Sequence, residues 1–304
     1  MPFAFFHGIA QEGRTADELR KLWVDSLEAG LETAKTPASL HKRSVEVPYY
    51  GDLLADYTPD ASATPQSVDK DKQYRSATAF RPPSPIDQIE AEFVMEIGRA
   101  KGRRFDKDDF KRSAKSGILR TLASIVPNRA QAELVDRVLT QVAAYLTSPS
   151  IRAEISEMAD SALLKAESAR VPNDSRLVVV GHSLGSVVAL EALWRWRGAP
   201  VDLFITIGSP LSVPCIYSRL TMQPPKWPTQ IRQWINVADK DDVVALHGAI
   251  DRSNLFSPCT KADKSQRADV LNILDIKNHM ANHHGIAGYL DDPVVARFIT
   301  DLAD

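Results

Sequence analysis

The stretch that most constrains this chain is Arg176 to Trp194, RLVVVGHSLGSVVALEALW. Leu177–Val180 is a short apolar run rich in valine and reads as a fully buried strand. Val187–Trp194 holds the strong helix formers Ala189, Leu190, Ala192 and Leu193 and reads as a buried helix. Between them stands Gly181-His182-Ser183-Leu184-Gly185, a G-x-S-x-G pattern with a strand before it and a helix after it. A strand turning sharply into a helix forces its central residue into a strained backbone. Gly181 and Gly185 carry no Cβ, so strand and helix can close on each other there. Ser183 is then the residue at the tip, over a helix N-terminus whose free N–H groups favour negative charge. The pattern makes Ser183 a candidate nucleophile and the Leu184 N–H a candidate oxyanion donor. The plain alternative, a small-residue turn that only packs a helix on a sheet, leaves the serine between two glycines unexplained.

A strand–turn–helix unit of this kind needs partners. The 304 residues suffice for one large α/β domain, and 44% hydrophobic with 25% charged residues is ordinary for a globular protein. A net charge of −2 offers no electrostatic basis for nucleic-acid binding. Cys215 and Cys259 are too few for a disulfide framework, so a reduced, cytoplasmic setting is expected and both read as small hydrophobes. No signal-peptide pattern opens the chain and no apolar run is long enough to span a bilayer. Metal spacings such as CxxC or HExxH are lacking, and no cofactor is expected.

In chain order, Pro2–Phe6 reads as an early strand running into His7-Gly8-Ile9. An HG dipeptide in that place suits a second oxyanion donor, the Ile9 N–H, facing that of Leu184; a plain strand-to-helix turn is the alternative. Thr15 and Glu18 form a capping box that opens a helix with Leu19, Leu22, Trp23, Leu27 and Leu31 on one face. Ser44–Tyr50 reads as a strand ended by Gly51, with Pro48 marking an edge. Residues 57–85 read as a long polar loop, and 86–169 are helical in pattern throughout, without a strand signal. Together, 57–170 form a loop plus helical insertion before the Ser183 strand, within a single domain spanning 1–304. The insertion is expected to cap Ser183 and select a lipophilic acyl group; the alternative is structural cladding of the sheet. Val201–Ile207 is a buried strand ending in the tight loop Gly208–Leu211. Gln233–Val237 is a further strand, 255–277 a polar hairpin or loop with a last strand over Val270–Ile276, and Pro293–Leu302 a closing helix.

Serine needs a base, and histidine titrates near neutrality. The imidazole in turn needs a carboxylate to fix its tautomer. After Ser183 come an aspartate cluster behind a strand (Asp239, Asp241, Asp242) and then a histidine cluster (His279, His283, His284). Spacing alone leaves each cluster open. His182 reads as a packing neighbour of the serine, and His41 and His247 have no supporting context.

The motifs GHSLGSVVALEAL, FITIGSPL, WINVADKDDVVAL and HHGIAGYL, with HGIAQEG, PYYGDLL and AAYLTSPSIRAEI, resemble the α/β-hydrolase superfamily, and within it a bacterial lipase- and esterase-like branch of serine hydrolases. The resemblance implies an α/β-hydrolase fold, a mostly parallel sheet flanked by helices. It places the acid at Asp242, just before Val243-Val244-Ala245, and the base at His284, with Gly285 to Gly288 between it and Tyr289-Leu290. It implies hydrolysis of a small-molecule or lipid carboxylic ester through an acyl-enzyme, with at most transient contact with a lipid surface. A thioesterase or acyltransferase with the same triad, and a silent binding module on the same fold, are the rival expectations.

Overall fold

The computed structural model describes residues 1–36, 38–55, 85–105, 121–122, 124, 129–172, 175–246, 248–251 and 270–301. Its strands are β1 (Phe3–Phe6), β2 (Val45–Glu46), β3 (Val178–His182), β4 (Val201–Ile207), β5 (Ile231–Val237) and β6 (Leu271–Ile273). They form one sheet in the order β2-β1-β3-β4-β5-β6, and every pairing is parallel. The helices are α1 (Ala16–Thr33), α2 (Gly51–Ala55), α3 (Pro85–Ala100), α4 (Arg129–Thr147), α5 (Pro149–Ser168), α6 (Leu184–Arg195), α7 (Pro214–Tyr217), α8 (Ala287–Leu290) and α9 (Pro293–Asp301).

Strand alternation decides which helices cover which face. Phe3, Phe5, Val178, Val180, Leu203, Ile205, Ile235 and Val237 point into one core with α1, α8 and α9. Ala4, Phe6, Val179, Phe204 and Trp234 point into the other, with α3 to α7. Trp23 of α1 stacks at 5.0 Å on Phe5 and is buried; truncating such a side chain costs about 3–5 kcal/mol. The capping box forms as expected: the Thr15 hydroxyl accepts from the Glu18 N–H, and Glu18 accepts from the Thr15 N–H at 2.7 Å.

The chain steps from β1 outward to β2 and then back across β1 to β3, so the order reverses between β1 and β3. Helix α1, which follows β1, lies on one face, and α6, which follows β3, lies on the other. The two loops therefore part at the carboxyl ends of these strands, the usual place for a ligand site in an open parallel sheet.

Several sequence expectations need correction. The strand expected over Ser44–Tyr50 pairs only at Val45–Glu46, and Gly51 opens the short helix α2 rather than closing the strand. β5 begins at Ile231, two residues before the expected start. The last strand is limited to Leu271–Ile273 and runs parallel to β5, and residues 255–269 of the expected hairpin or loop lie outside the described residues. Pro210–Ser212 in the expected tight loop forms a 3₁₀ turn capped by the Ser209 hydroxyl. The polar loop over 57–85 lies outside the described residues, apart from Pro85, which begins α3. Within 86–169 the helical reading holds for α3, α4 and α5. Helix α5 packs on α6 and on the β1–β2 edge, whereas α4 packs on α3 and reaches the loop after β1.

Candidate active site

Ser183 sits between the last residue of β3 and the first of α6, with φ 52° and ψ −127°. A non-glycine residue in that conformation is strained and persists only where its surroundings hold it. They do so here. The Ser183 N–H donates to the Ile207 carbonyl on β4 at 3.0 Å, and the Ser186 hydroxyl donates to the Gly181 carbonyl at 2.8 Å. Gly185 lies so close to β1 that an added Cβ would fall 2.0 Å from the Phe6 carbonyl oxygen. The strained turn is thus clamped from both neighbouring strands.

The loop after β1 comes over the same turn. A Cβ on Gly8 would stand 3.0 Å from the Ser183 Cβ and 2.9 Å from His182 Nδ1. The next residue is Ile9, whose N–H has no acceptor among the described residues, while the Ala10 N–H is taken by Gln141 of α4 at 3.1 Å. Leu184, as the first residue of α6, has an N–H with no intrahelical acceptor. The structure therefore brings the segments of both expected oxyanion donors to the serine. His7 is tied down locally. Its Nε2 accepts from the Tyr50 N–H, so Nδ1 carries the proton and donates to the Gly8 carbonyl at 2.6 Å. Burial lowers its pKa to about 4, and it is a neutral strut.

The expected acid and base arrive from the other side. Asp242, in the loop after β5, is buried, and its Oδ2 accepts from His284 Nδ1 at 2.8 Å. A second donor to Oδ2 is the Tyr289 hydroxyl at 2.8 Å, and Oδ1 accepts from the Val244 and Ala245 N–H groups. With two donors on each oxygen, the carboxyl group holds no proton of its own. Burial alone would raise its pKa; the His284 charge and the four donors outweigh that and hold it below the ordinary carboxylate range. An ionised Asp242 fixes the His284 proton on Nδ1 and leaves the Nε2 lone pair free to accept one. Gly208 joins this pair to Ser183. It follows Ile207, whose carbonyl holds the Ser183 N–H, and a Cβ there would stand 2.8 Å from Asp242 Oδ2 and 3.1 Å from His284 Nδ1. Its φ of +53° also favours glycine.

Ser183 Oγ and His284 Nε2 are both buried, and neither has a hydrogen-bond partner among the described residues. Serine and histidine are thus assembled but not bonded, as catalytic pairs often are without substrate. His182 packs at 4.8 Å from the His284 ring, and its Nε2–H donates to the His284 carbonyl at 2.8 Å. Burial, reinforced by the nearby His284 charge, lowers its pKa to about 3.

The structure separates the remaining candidates. Asp239 is buried, but its oxygens take the Asp241 and Asn278 N–H groups, and its imidazole neighbour is His283 at 3.3 Å. Asp241 is exposed. His279 pairs with Asp291 at the surface. His41 pairs with Asp25 on α1, Cys215 is a buried free thiol, and His247 and Cys259 lie outside the described residues. Three contributors escaped the sequence reading: Gly208, Tyr289, and Asn278, whose side chain donates to the Gly285 carbonyl and shapes the His284 loop. Tyr289 stood inside a motif already singled out, but its use depends on a partner 47 residues away.

Among the described residues no group of three or more His, Cys, Asp or Glu side chains is placed to hold a metal ion, and no helix is long and apolar enough to cross a membrane. Comparison with family models, with curated proteins and with solved structures finds no match for this chain.

Proposed function

We propose that this chain is a serine hydrolase of the α/β-hydrolase type that cleaves carboxylic esters through an acyl-enzyme on Ser183. One observation carries the reading: a serine in a strained strand-to-helix turn is linked through Ile207 and Gly208 to a buried histidine whose tautomer an ionised aspartate fixes. In this mechanism Ser183 Oγ attacks the ester carbonyl while His284 Nε2 takes its proton. Asp242 stabilises the imidazolium that results. The oxygen of the tetrahedral intermediate lies between the Ile9 and Leu184 N–H groups, which act before and during the step without reorganising. The imidazolium returns its proton to the leaving alkoxide, and a water activated by the same histidine then releases the acid.

The same reading assigns the α3–α4 part of the insertion a capping role. Ser183 is fully buried, so an ester reaches it only after some covering element moves. Helix α4 is fastened to the loop carrying Ile9 by the Gln141–Ala10 hydrogen bond and an Arg137–Glu12 ion pair. Its buried side chains include Val135, Val138, Leu139 and Val142, in one cluster with Ile9 and Leu184, beside the polar Asp136, Thr140 and Gln141. That supports an acyl group of lipophilic character. Hydrolysis of p-nitrophenyl esters from acetyl to palmitoyl tests the proposal. Turnover by the wild type that peaks at one chain length and is absent in Ser183→Ala is the expected result; no turnover of any member, with the protein folded, would overturn it.

A further inference from the structure

The Asp242–His284 pair carries a third member that the serine mechanism does not require. Tyr289, in the one-turn helix α8, is fully buried, and its hydroxyl makes two hydrogen bonds. It accepts from the Asp239 N–H at 2.9 Å and stands 2.8 Å from Asp242 Oδ2. A phenol has one proton to give. The Asp239 N–H can only donate, so the phenolic proton points at Asp242. Burial, together with the Asp242 charge, raises the Tyr289 pKa far above its ordinary value, so the hydroxyl keeps this proton at any working pH. The oxygen it meets is the one that His284 Nδ1 uses. Tyr289 therefore joins the start of the aspartate loop, the reactive aspartate and the helix behind the histidine loop through a single atom.

We propose that Tyr289 is a positioning residue of the site, which fixes Asp242 Oδ2 in line with His284 and sets how strongly the carboxylate draws the imidazole proton. The inference rests on the triad reading for its link to turnover, but its physical content belongs to the buried pair alone. A hydroxyl donating to Oδ2 spreads the carboxylate charge. Taking it away concentrates that charge on the His284 proton and favours imidazolium. Among the described residues the other titratable groups around the pair are His182 from β3, held neutral; Asp239, whose oxygens are filled from its own loop and by Asn278; and His283, 3.3 Å from Asp239. None of them bonds Oδ2, so none replaces the phenol.

The test follows the His284 imidazole by nitrogen-15 NMR titration of the full chain, alongside the pH dependence of fluorophosphonate labelling. Tyr289→Phe keeps the ring and the packing. It is expected to move the His284 titration up by about half a pH unit, to move the acid limb of the labelling profile with it, and to slow labelling at its plateau by roughly three- to tenfold. Installing 3-fluorotyrosine at position 289 makes the same shape a stronger donor and is expected to move the titration the opposite way, which loss of packing would not do; this second variant also serves if Tyr289→Phe does not fold. A His284 titration unchanged within 0.1 unit in both variants, or displaced in one direction by both, overturns the inference. A normal shift in titration without any labelling of the wild type would instead overturn the proposed esterase mechanism, so the two failures are distinguishable.

Discussion

Two aspartate–histidine pairs draw on neighbouring histidines, His284 and His279, and by distance they are nearly the same. His284 meets Asp242 at 2.8 Å, and His279 meets Asp291 at 2.7 Å. In the first the side chains are 8% and 0% exposed; in the second they are 62% and 29% exposed. The exposed pair trades with water and is worth at most about 1 kcal/mol. The buried pair has lost its water, and every acceptor site on Asp242 has been refilled by a protein donor. Among the described residues that leaves the histidine Nε2 without a partner, as it does the Ser183 Oγ. A short ion pair alone therefore says little about chemistry. What singles out Asp242–His284 is desolvation combined with a deficit of partners at the one atom that accepts a proton in the proposed mechanism.

The largest effect that sharpens this contrast is expected in kcat. Asp242→Asn and His284→Ala should each lower ester turnover by about 10⁴-fold, because the amide stabilises the wrong tautomer and alanine removes the base. Asp291→Asn and His279→Ala should stay within about twofold of wild type. Comparable losses in both pairs would erase the distinction drawn from burial. Gly208→Ala comes next. A Cβ there intrudes on both members of the buried pair and sits at positive φ, so a loss of roughly 10- to 100-fold in kcat with a modest fall in Tm is expected. Wild-type kinetics would mean that the pair can shift freely.

A smaller effect concerns stability. His7 and His182 are held neutral, with pKa lowered to about 4 and about 3 by burial. Unfolded, each titrates near 6.5 and binds more protons than it does in the fold, so stability rises with pH across this window. The contribution is complete above about pH 6.5 and is lost as the pH falls toward 4. The urea midpoint should decline over that range, and a flat profile would contradict the burial of neutral imidazoles beside the site. The smallest effect is expected at the insertion. Gln141→Ala, which frees the Ala10 N–H from α4, should change the acyl-chain preference by a few fold and Tm by a degree or two. Unmoved chain-length selectivity would favour the reading of these helices as cladding.

The contrast between local and distant signals also explains what the sequence revealed. The Ser183 turn was legible because strand, glycines, serine and helix are contiguous, and the α1 capping box for the same reason. Val201–Ile207 matches its strand because both faces are buried and the run is uninterrupted. Strand order was not legible, since the reversal between β1 and β3 is decided by packing of separate segments. β2 was overread because Val47, Tyr49 and Tyr50 have strand propensity, whereas the chain leaves the sheet after Glu46 and turns into α2. Composition could not rank Asp239, Asp241 and Asp242; what separates them is which oxygen meets which imidazole. The roles of Tyr289 and Gly208 exist only once the loops after β4 and β5 and the C-terminal helices have met.

The central claim is that the buried pair, and not its exposed neighbour, activates Ser183. Labelling with a fluorophosphonate, followed by mass spectrometry of the modified peptide, tests it most directly. The account predicts modification at Ser183 in the wild type, in His279→Ala and in His283→Ala, and loss of modification in Ser183→Ala and His284→Ala. Labelling at another residue, or full labelling of Ser183 in His284→Ala, would contradict it.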